Sequence, residues 1–172
     1  IEKTKINFKH NIILTYITSR GNWYNASWKG DENKSGGIVT NIGVHFFDML
    51  AWIFGKVQYN EVHLNDKNTV SGYLELENAH VKWFLSTDSN NLPSQVISEG
   101  KTTYRSITVD GEEVEFSNGF TDLHTLIYKD ILNGKGFGLT DAASSIEIVH
   151  DIRSYIPNNK NKDLLHPLNT KN

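Results

Sequence analysis

Residues 38–54 contain no Lys, Arg, Glu or Gln, and glycines stand on both sides, Gly36-Gly37 before and Gly55 after. Val39, Ile42, Phe46, Met49, Leu50 and Ile53 recur there at spacings of three and four, the period of a helix with one buried side. Such a helix cannot stand free in water; a sheet or other helices must cover its apolar side. Thr40 and Asn41 are candidate caps and Gly55 a C-terminal stop. The greasiest part, residues 44–54, is interrupted by Asp48 and is shorter than a bilayer requires.

The covering layer is legible in the same way. Residues 11–18 are β-rich, and residues 57–64, 69–77, 79–87, 103–109 and 113–116 read as short strands joined by Glu77-Asn78 and Asp110-Gly111 turns. Val70, Leu74 and Leu76, then Val81, Trp83 and Leu85, alternate as one buried face. The opposite face would carry Ser71, Tyr73, Glu75, His80, Lys82, Phe84, Tyr104, Ser106 and Thr108, a mixture expected to serve oligomer contact. Helices are expected over 123–132, capped by Thr121 or Asp122, and over 142–156, capped by Thr140 or Asp141. Residues 19–37 form a long connection holding Trp23, Tyr24 and Trp28, too aromatic for disorder. The expectation is an α+β fold, an antiparallel sheet with helices on one face. Residues 1–157 make one domain, and the Asn/Lys-rich residues 158–172 a disordered tail.

Charge narrows the partners. Lys and Arg number 17 against 20 Asp and Glu, a net −3, so nucleic acid and anionic membranes are not expected partners. With no cysteine and no secretion signal over residues 1–10, the expected compartment is the cytoplasm. The first residue is Ile, not Met, which suggests a piece of a longer chain.

At about 100° per residue, Asn41, His45, Asp48 and Trp52 fall within an arc of roughly 60° opposite the apolar stripe. A solvated helix face normally carries long charged side chains; this one carries an amide, an imidazole and a short carboxylate among aromatics. His45 is suited to proton transfer near neutral pH, Asp48 to fixing its tautomer, and Asn41 to holding a hydroxyl or carbonyl. The plain alternative is a half-buried His45 bonded to Asp48 with no catalytic duty. Gly43, in mid-helix, points to close backbone packing. In the loop, Arg20 and Lys29 suit a diphosphate or carboxylate, and Trp28 a base or sugar; alternatively Trp23 and Trp28 pin the loop to the core. Tyr104-Arg105 has the same flavour. His10, His63, His80, His124, His150 and His166 show no metal-ligand spacing, so no metal site is expected, and a His10/His63 pair is disfavoured.

Gly36-Gly37, Asn41-Ile-Gly43-Val-His45-Phe-Phe-Asp48, Trp52 and Gly55 together resemble the C-terminal domain of the Gfo/Idh/MocA oxidoreductases. Thr15-Tyr-Ile-Thr-Ser-Arg-Gly21, Ala26-Ser-Trp-Lys-Gly-Asp31 and Gly119-Phe-Thr-Asp-Leu-His124 look like the branch that oxidises UDP-N-acetylglucosaminuronic acid at C3 for lipopolysaccharide O-antigen sugars. The likeness runs over residues 13–153. It implies an open, mixed, predominantly antiparallel sheet of about six strands and an NAD-dependent parent enzyme. It also implies that His45 lies beside sugar and nicotinamide, with Asn41 and Asp48 near. Arg20, Trp28, Lys29, Thr40, Tyr104 and Arg105 would then stand on the UDP-sugar side. Asn41 holds a place where many relatives carry Asp, and an amide cannot act as a charged base. No Gly-x-Gly-x-x-Gly lies between a strand and a helix, and the family's Glu-Lys-Pro lysine is absent, so NAD would be held by an N-terminal Rossmann domain. Three other readings use the same residues: a different pyranose, an inositol, or a standalone non-catalytic carbohydrate-binding or scaffold domain.

Overall fold

The computed structural model describes residues 8–114 and 122–170. The chain opens with β1 (His10–Thr18), then winds through α1 (Gly21–Ala26), a 3-10 turn at Trp28–Gly30 and α2 (Glu32–Ser35). A π-helical turn, Val39–Gly43, runs into α3 (Val44–Phe54). Next come β2 (Val57–Asn65), β3 (Thr69–Leu76) and β4 (Ala79–Ser86), a 3-10 turn at Ser89–Asn91 and α4 (Ser94–Ser98). The strands β5 (Thr103–Val109) and β6 (Glu112–Glu113) precede α5 (Leu123–Leu132) and α6 (Leu139–Ser154), and 3-10 turns at Lys162–Leu164 and Pro167–Thr170 follow.

One sheet of six strands holds the chain together, in the order β2-β3-β4-β1-β5-β6. Only β1 and β4 are parallel; every other neighbouring pair is antiparallel. The expected alternation holds: Val70, Leu74, Leu76, Val81, Trp83 and Leu85 are all buried. They join Ile12, Leu14 and Ile107 in one core with Ile42, Phe47, Leu50, Ile148, Val149 and Ile152, so α3 and α6 share this face. The connection at 19–37 departs from the expected loop. It folds into helical turns because Ser27 accepts a bond from the Lys29 N–H and Asp31 one from the Asn33 N–H, each opening a turn. β6 is shorter than the expected 113–116 strand, and residues 115–121, including the Gly119 to Thr121 part of the motif, lie outside the described residues.

The core stripe of α3 is also shifted. Phe47 and Leu50 are the buried residues of this helix, while Phe46 and Met49 are only half-buried and Ile53 is exposed. The cause is the π-turn, in which the Val44 N–H bonds to the Val39 carbonyl. One extra residue in a turn rotates everything after it by about 100°, so burial steps from Ile42 to Phe47 instead of Phe46. By count alone, Glu32–Phe54 has 23 residues and a window of mean hydropathy 1.4, but the left-handed Gly36-Gly37 corner divides it, and α3 itself is the 11 residues Val44–Phe54. Its inner side is occupied by the sheet.

The second face is not the open surface the alternation suggested. Ser71, Tyr73, Phe84 and Ser106 are buried within the single chain. Ile17, Phe84 and Leu92 form a small cluster with Val96, Tyr104 and Leu168. The residues expected to fray instead dock here: the His166 ring stacks on Phe84 at 5.4 Å, and Asn169 donates to Ser71 Oγ at 2.6 Å. His166 Nδ1 accepts the Leu168 N–H at 3.1 Å, which leaves Nε2 to donate to Thr15 Oγ1 at 3.0 Å. What stays half-exposed is a band of Glu75, His80, Lys82 and Thr108.

Burial pushes His166 down from 6.5 to about 3. It also lowers His63, where the Lys82 charge adds to the effect and Glu61 opposes it. Both rings are therefore neutral in the fold but take a proton in the unfolded chain below pH 6.5. Unfolding binds protons, so this stability is complete above pH 6.5 and is lost as the pH falls towards the folded values, by up to ~1.4 kcal/mol per pH unit per histidine. Urea unfolding from pH 7 to pH 4 should show this slope, and His166→Gln should flatten it; equal slopes in the two proteins would contradict the assignment.

Candidate functional site

The ridge begins at a corner that only glycine makes easily. Gly36 and Gly37 have φ of +76° and +74°, two left-handed steps in succession. Immediately after them Thr40 Oγ1 donates to the Gly36 carbonyl and Asn41 Nδ2 to the Gly37 carbonyl, both at 2.9 Å. Gly43 follows, seated so closely that a Cβ would lie 2.7 Å from Phe47 Cε2 and 3.1 Å from Leu85 Cδ1. The close packing expected of that glycine is what the fold shows.

Beyond Gly43 the outer face of α3 presents His45, Asp48 and Trp52, all exposed, with Trp52 at 85 %. His45 and Asp48 make no hydrogen bond or ion pair with each other among the described residues. The satisfied, half-buried histidine is therefore not what the chain builds, and Asp48 does not fix the His45 tautomer here. An exposed indole beside an imidazole and a carboxylate, on a helix with no long charged side chain, is a surface suited to a ring-shaped polar ligand.

The strand register gathers the cations at one end of the sheet. Ile17 of β1 lies beside Ser86 of β4, Ser86 beside Thr69 of β3, and Thr18 beside Thr103 of β5. Arg20 therefore follows the end of β1 at the same edge as the β2–β3 turn and the start of β5. Its Nε is buried with no partner. A cleft there is lined by Tyr24, Lys29, Glu32, Asp66, Lys67 and Arg153, so two carboxylates stand among its three cations, and a second, holding Arg20 and Asp88, shares Tyr24 and Asn68 with it. Lys67 and Arg153 were not singled out in the sequence; they come from the β2–β3 turn and the last turn of α6, so no local pattern joins them to Lys29.

Other expected site residues separate. Tyr24 is the buried aromatic that pins the loop; Trp23 and Trp28 are 60 % and 57 % exposed, so they do not. Burial raises the Tyr24 hydroxyl pKa, and the nearby Arg20 charge opposes that shift. The Lys29 ammonium lies 5.8 Å from the Trp28 ring. Tyr104 and Arg105, adjacent on β5, point to opposite faces. Arg105 places its guanidinium 5.5 Å from the Tyr16 ring, and Tyr16 packs on Phe46 at 5.2 Å, next to His45. Tyr104 instead joins the Ile17 and Phe84 cluster on the second face. The structure thus brings Arg105 to the side of the ridge and takes Tyr104 away from it.

A second polar group lies on the edge strand β2. Glu61 and His63 are both buried, with Nε2 and Oε1 3.5 Å apart, and the Tyr59 hydroxyl donates to Glu61 Oε2 at 2.6 Å. His10 is elsewhere, bonded to Asp110 Oδ2 at 2.7 Å, so His10 and His63 do not form a metal pair. No group of three or more His, Cys, Asp or Glu is gathered for a metal among the described residues.

A family model described as "Oxidoreductase family, C-terminal alpha/beta domain" (GFO_IDH_MocA_C) matches residues 10–113. Among solved structures, the chain is 52 % identical to the WlbA (WbpB) dehydrogenase from Thermus thermophilus in complex with NAD and alpha-ketoglutarate, with a TM-score of 0.87, over 92 % of this chain and 52 % of that one. The same Thermus enzyme in complex with NAD and UDP-GlcNAcA matches at 51 % identity and TM-score 0.86, over 92 % and 51 %. The WlbA dehydrogenase from Bordetella pertussis in complex with NADH and UDP-GlcNAcA is 15 % identical with a TM-score of 0.58 over 81 % and 52 %, a likeness of fold. The chain spans about half the length of these relatives.

Gly43→Ala tests how tightly the ridge is seated. The added methyl must displace Phe47 or Leu85, at about 1–3 kcal/mol, against ~1 kcal/mol gained in helix propensity. The expected result is a melting temperature lower by a few degrees, ~2–4 °C per kcal/mol at this size; a rise would mean the seat is loose.

Proposed function

The chain belongs to the Gfo/Idh/MocA oxidoreductases, as their C-terminal α/β domain, and on that premise we propose that it is the substrate-binding and assembly half of an NAD-dependent dehydrogenase. Its substrate is a UDP-linked N-acetylated sugar acid, oxidised at the C3 hydroxyl for lipopolysaccharide O-antigen sugars in the cytoplasm. The observation that carries this reading is the exposed His45–Asp48–Trp52 ridge, in a chain half identical to a dehydrogenase solved with NAD and UDP-GlcNAcA.

The fit to NAD is one-sided. β1 is followed by Ser19-Arg20-Gly21 and β4 by Thr87-Asp88-Ser89, so neither parallel strand leads into a glycine-rich turn that could cradle a diphosphate. The dinucleotide would be held by an N-terminal Rossmann domain, with the α3 ridge facing its reactive end. NAD held there would supply the acceptor for the C3 hydride. His45, exposed and without a hydrogen-bond partner among the described residues, takes the proton of the C3 hydroxyl. Asp48 stands one turn further along the same exposed face. Trp52 offers an apolar wall for the sugar ring. Arg105, beside the ridge, and Arg20 and Lys29, at the sheet end, face the carboxylate and diphosphate of the substrate. The residual band of Glu75, His80, Lys82 and Thr108 is where a second copy of the chain would meet the sheet.

In the full-length protein, His45→Ala should lower kcat by roughly 10²–10⁴-fold while leaving the unfolding midpoint unchanged. This chain alone should show no NAD binding by calorimetry. Unaltered turnover in the His45 variant, or tight NAD binding by this chain, would count against the assignment of roles.

A further inference from the structure

The second face of the sheet is laid out in rows that cross β3, β4, β1 and β5. Thr69, Ser86, Ile17 and Tyr104 form one row, Ser71, Phe84, Thr15 and Ser106 the next, and Tyr73, Lys82, Ile13 and Thr108 the third. Ile17 and Tyr104 of the first row pack with Leu92 and Val96. Lys82 and Thr108 of the third, with Glu75 and His80 beyond it, stay half-exposed.

The middle row is covered by the end of the chain. Past Pro157 the Asn158 N–H bonds the Val62 carbonyl at 2.8 Å, so the chain crosses the outer edge of β2. It then lays His166 on Phe84 and Thr15, and Asn169 on Ser71, while Leu168 joins the Ile17, Phe84 and Leu92 cluster. Residues 159–163, Pro167 and Thr170 stay exposed, so the segment replaces an aromatic row with an Asn- and Lys-rich surface. Held by a few side-chain ties and one stacked ring, a terminal segment opens at far lower cost than the core. Beneath it lie a Phe ring and an edge carbonyl, features that invite another chain. The uncovered band beside it holds Lys82 and the Lys9–Glu75 pair, both signs of charge, which a two-fold related copy can match. We propose that residues 158–170 are an intramolecular cover over a docking surface for a second copy of this chain. Docked, they confine contact between copies to the Glu75, His80, Lys82 and Thr108 band; lifted, they add the Phe84 row to it. This rests on the assembly part of the reading above and not on the substrate.

Leu168→Asp sets a carboxylate in the apolar cluster without touching the sheet, a chain ending at Pro157 lacks the cover altogether, and Lys160→Ala changes an exposed residue as a control. In sedimentation velocity at equal concentration, the first two should show an average mass about twofold or more above the parent, with Lys160→Ala equal to it. Excess synthetic peptide of residues 158–172 should return either to the parental mass. Unchanged exchange protection of the Leu14 amide in β1 shows an intact sheet; if the shortened chain loses it, Leu168→Asp decides alone. Parental mass in the folded, uncovered chains would overturn the inference, and so would a gain in mass that the peptide does not reverse. If the parent is a monomer at every concentration, the band fails as a contact, while the comparison of covered and uncovered chains still decides the cover.

Discussion

The placement of α3 depends on how Trp83 is housed. Its indole lies against Gly72, where a Cβ would come within 2.6 Å of Trp83 Cζ2, and meets the Phe47 ring edge-on at 5.3 Å. The bare backbone at Gly72 gives the largest side chain of the core a hollow on the neighbouring strand. Phe47 then grips the indole from the helix side, and Gly43, one turn earlier, lets α3 come down far enough for it to do so. The indole N–H is buried without a partner, a cost of about 1–3 kcal/mol that the packing of so large a ring must offset. Any change that lifts Trp83 or fills Gly72 therefore moves the helix, and with it the face carrying His45.

The sequence showed the sheet faces because alternation is local: a residue and its second neighbour decide which side each faces. It showed the His45, Asp48 and Trp52 ridge for a related reason, since the absence of long charged side chains needs no knowledge of the fold. The π-turn was hidden because Phe46 and Phe47 are both apolar, and either satisfies a helical period when the turn is assumed regular. The second face misled because its polar residues look solvated until residues 162–170, far along the chain, fold back over them. Lys67 and Arg153 escaped notice because their nearness to Lys29 is tertiary. Tyr104 and Arg105 were grouped as neighbours in sequence, although strand alternation alone separates them.

Charge and aromatic surface are divided in space. Arg20, Lys29, Lys67 and Arg153 meet Glu32, Asp66 and Asp88 at one end of the sheet, from a loop, a turn and the end of a helix, while the ridge on α3 is aromatic and carries Asp48 as its one carboxylate. A ligand with an anionic diphosphate tail and a hydroxylated ring that carries a single charge, met by Arg105 beside the ridge, matches such a division. A uniformly charged one does not, because it would leave the ridge unsatisfied or the cations idle.

The position of β1 in the middle of the sheet has a consequence during biosynthesis. As translation proceeds, this strand leaves the ribosome long before the partners that flank it, since Ile12 must wait for Val81 on one side and Val109 on the other. Until both arrive, an apolar, β-prone segment has neither edge satisfied, and the intervening α3 has no floor to rest on. Assembly is therefore tied to completion of β5, and a nascent chain stalled earlier would present the kind of sticky edge that chaperones shield.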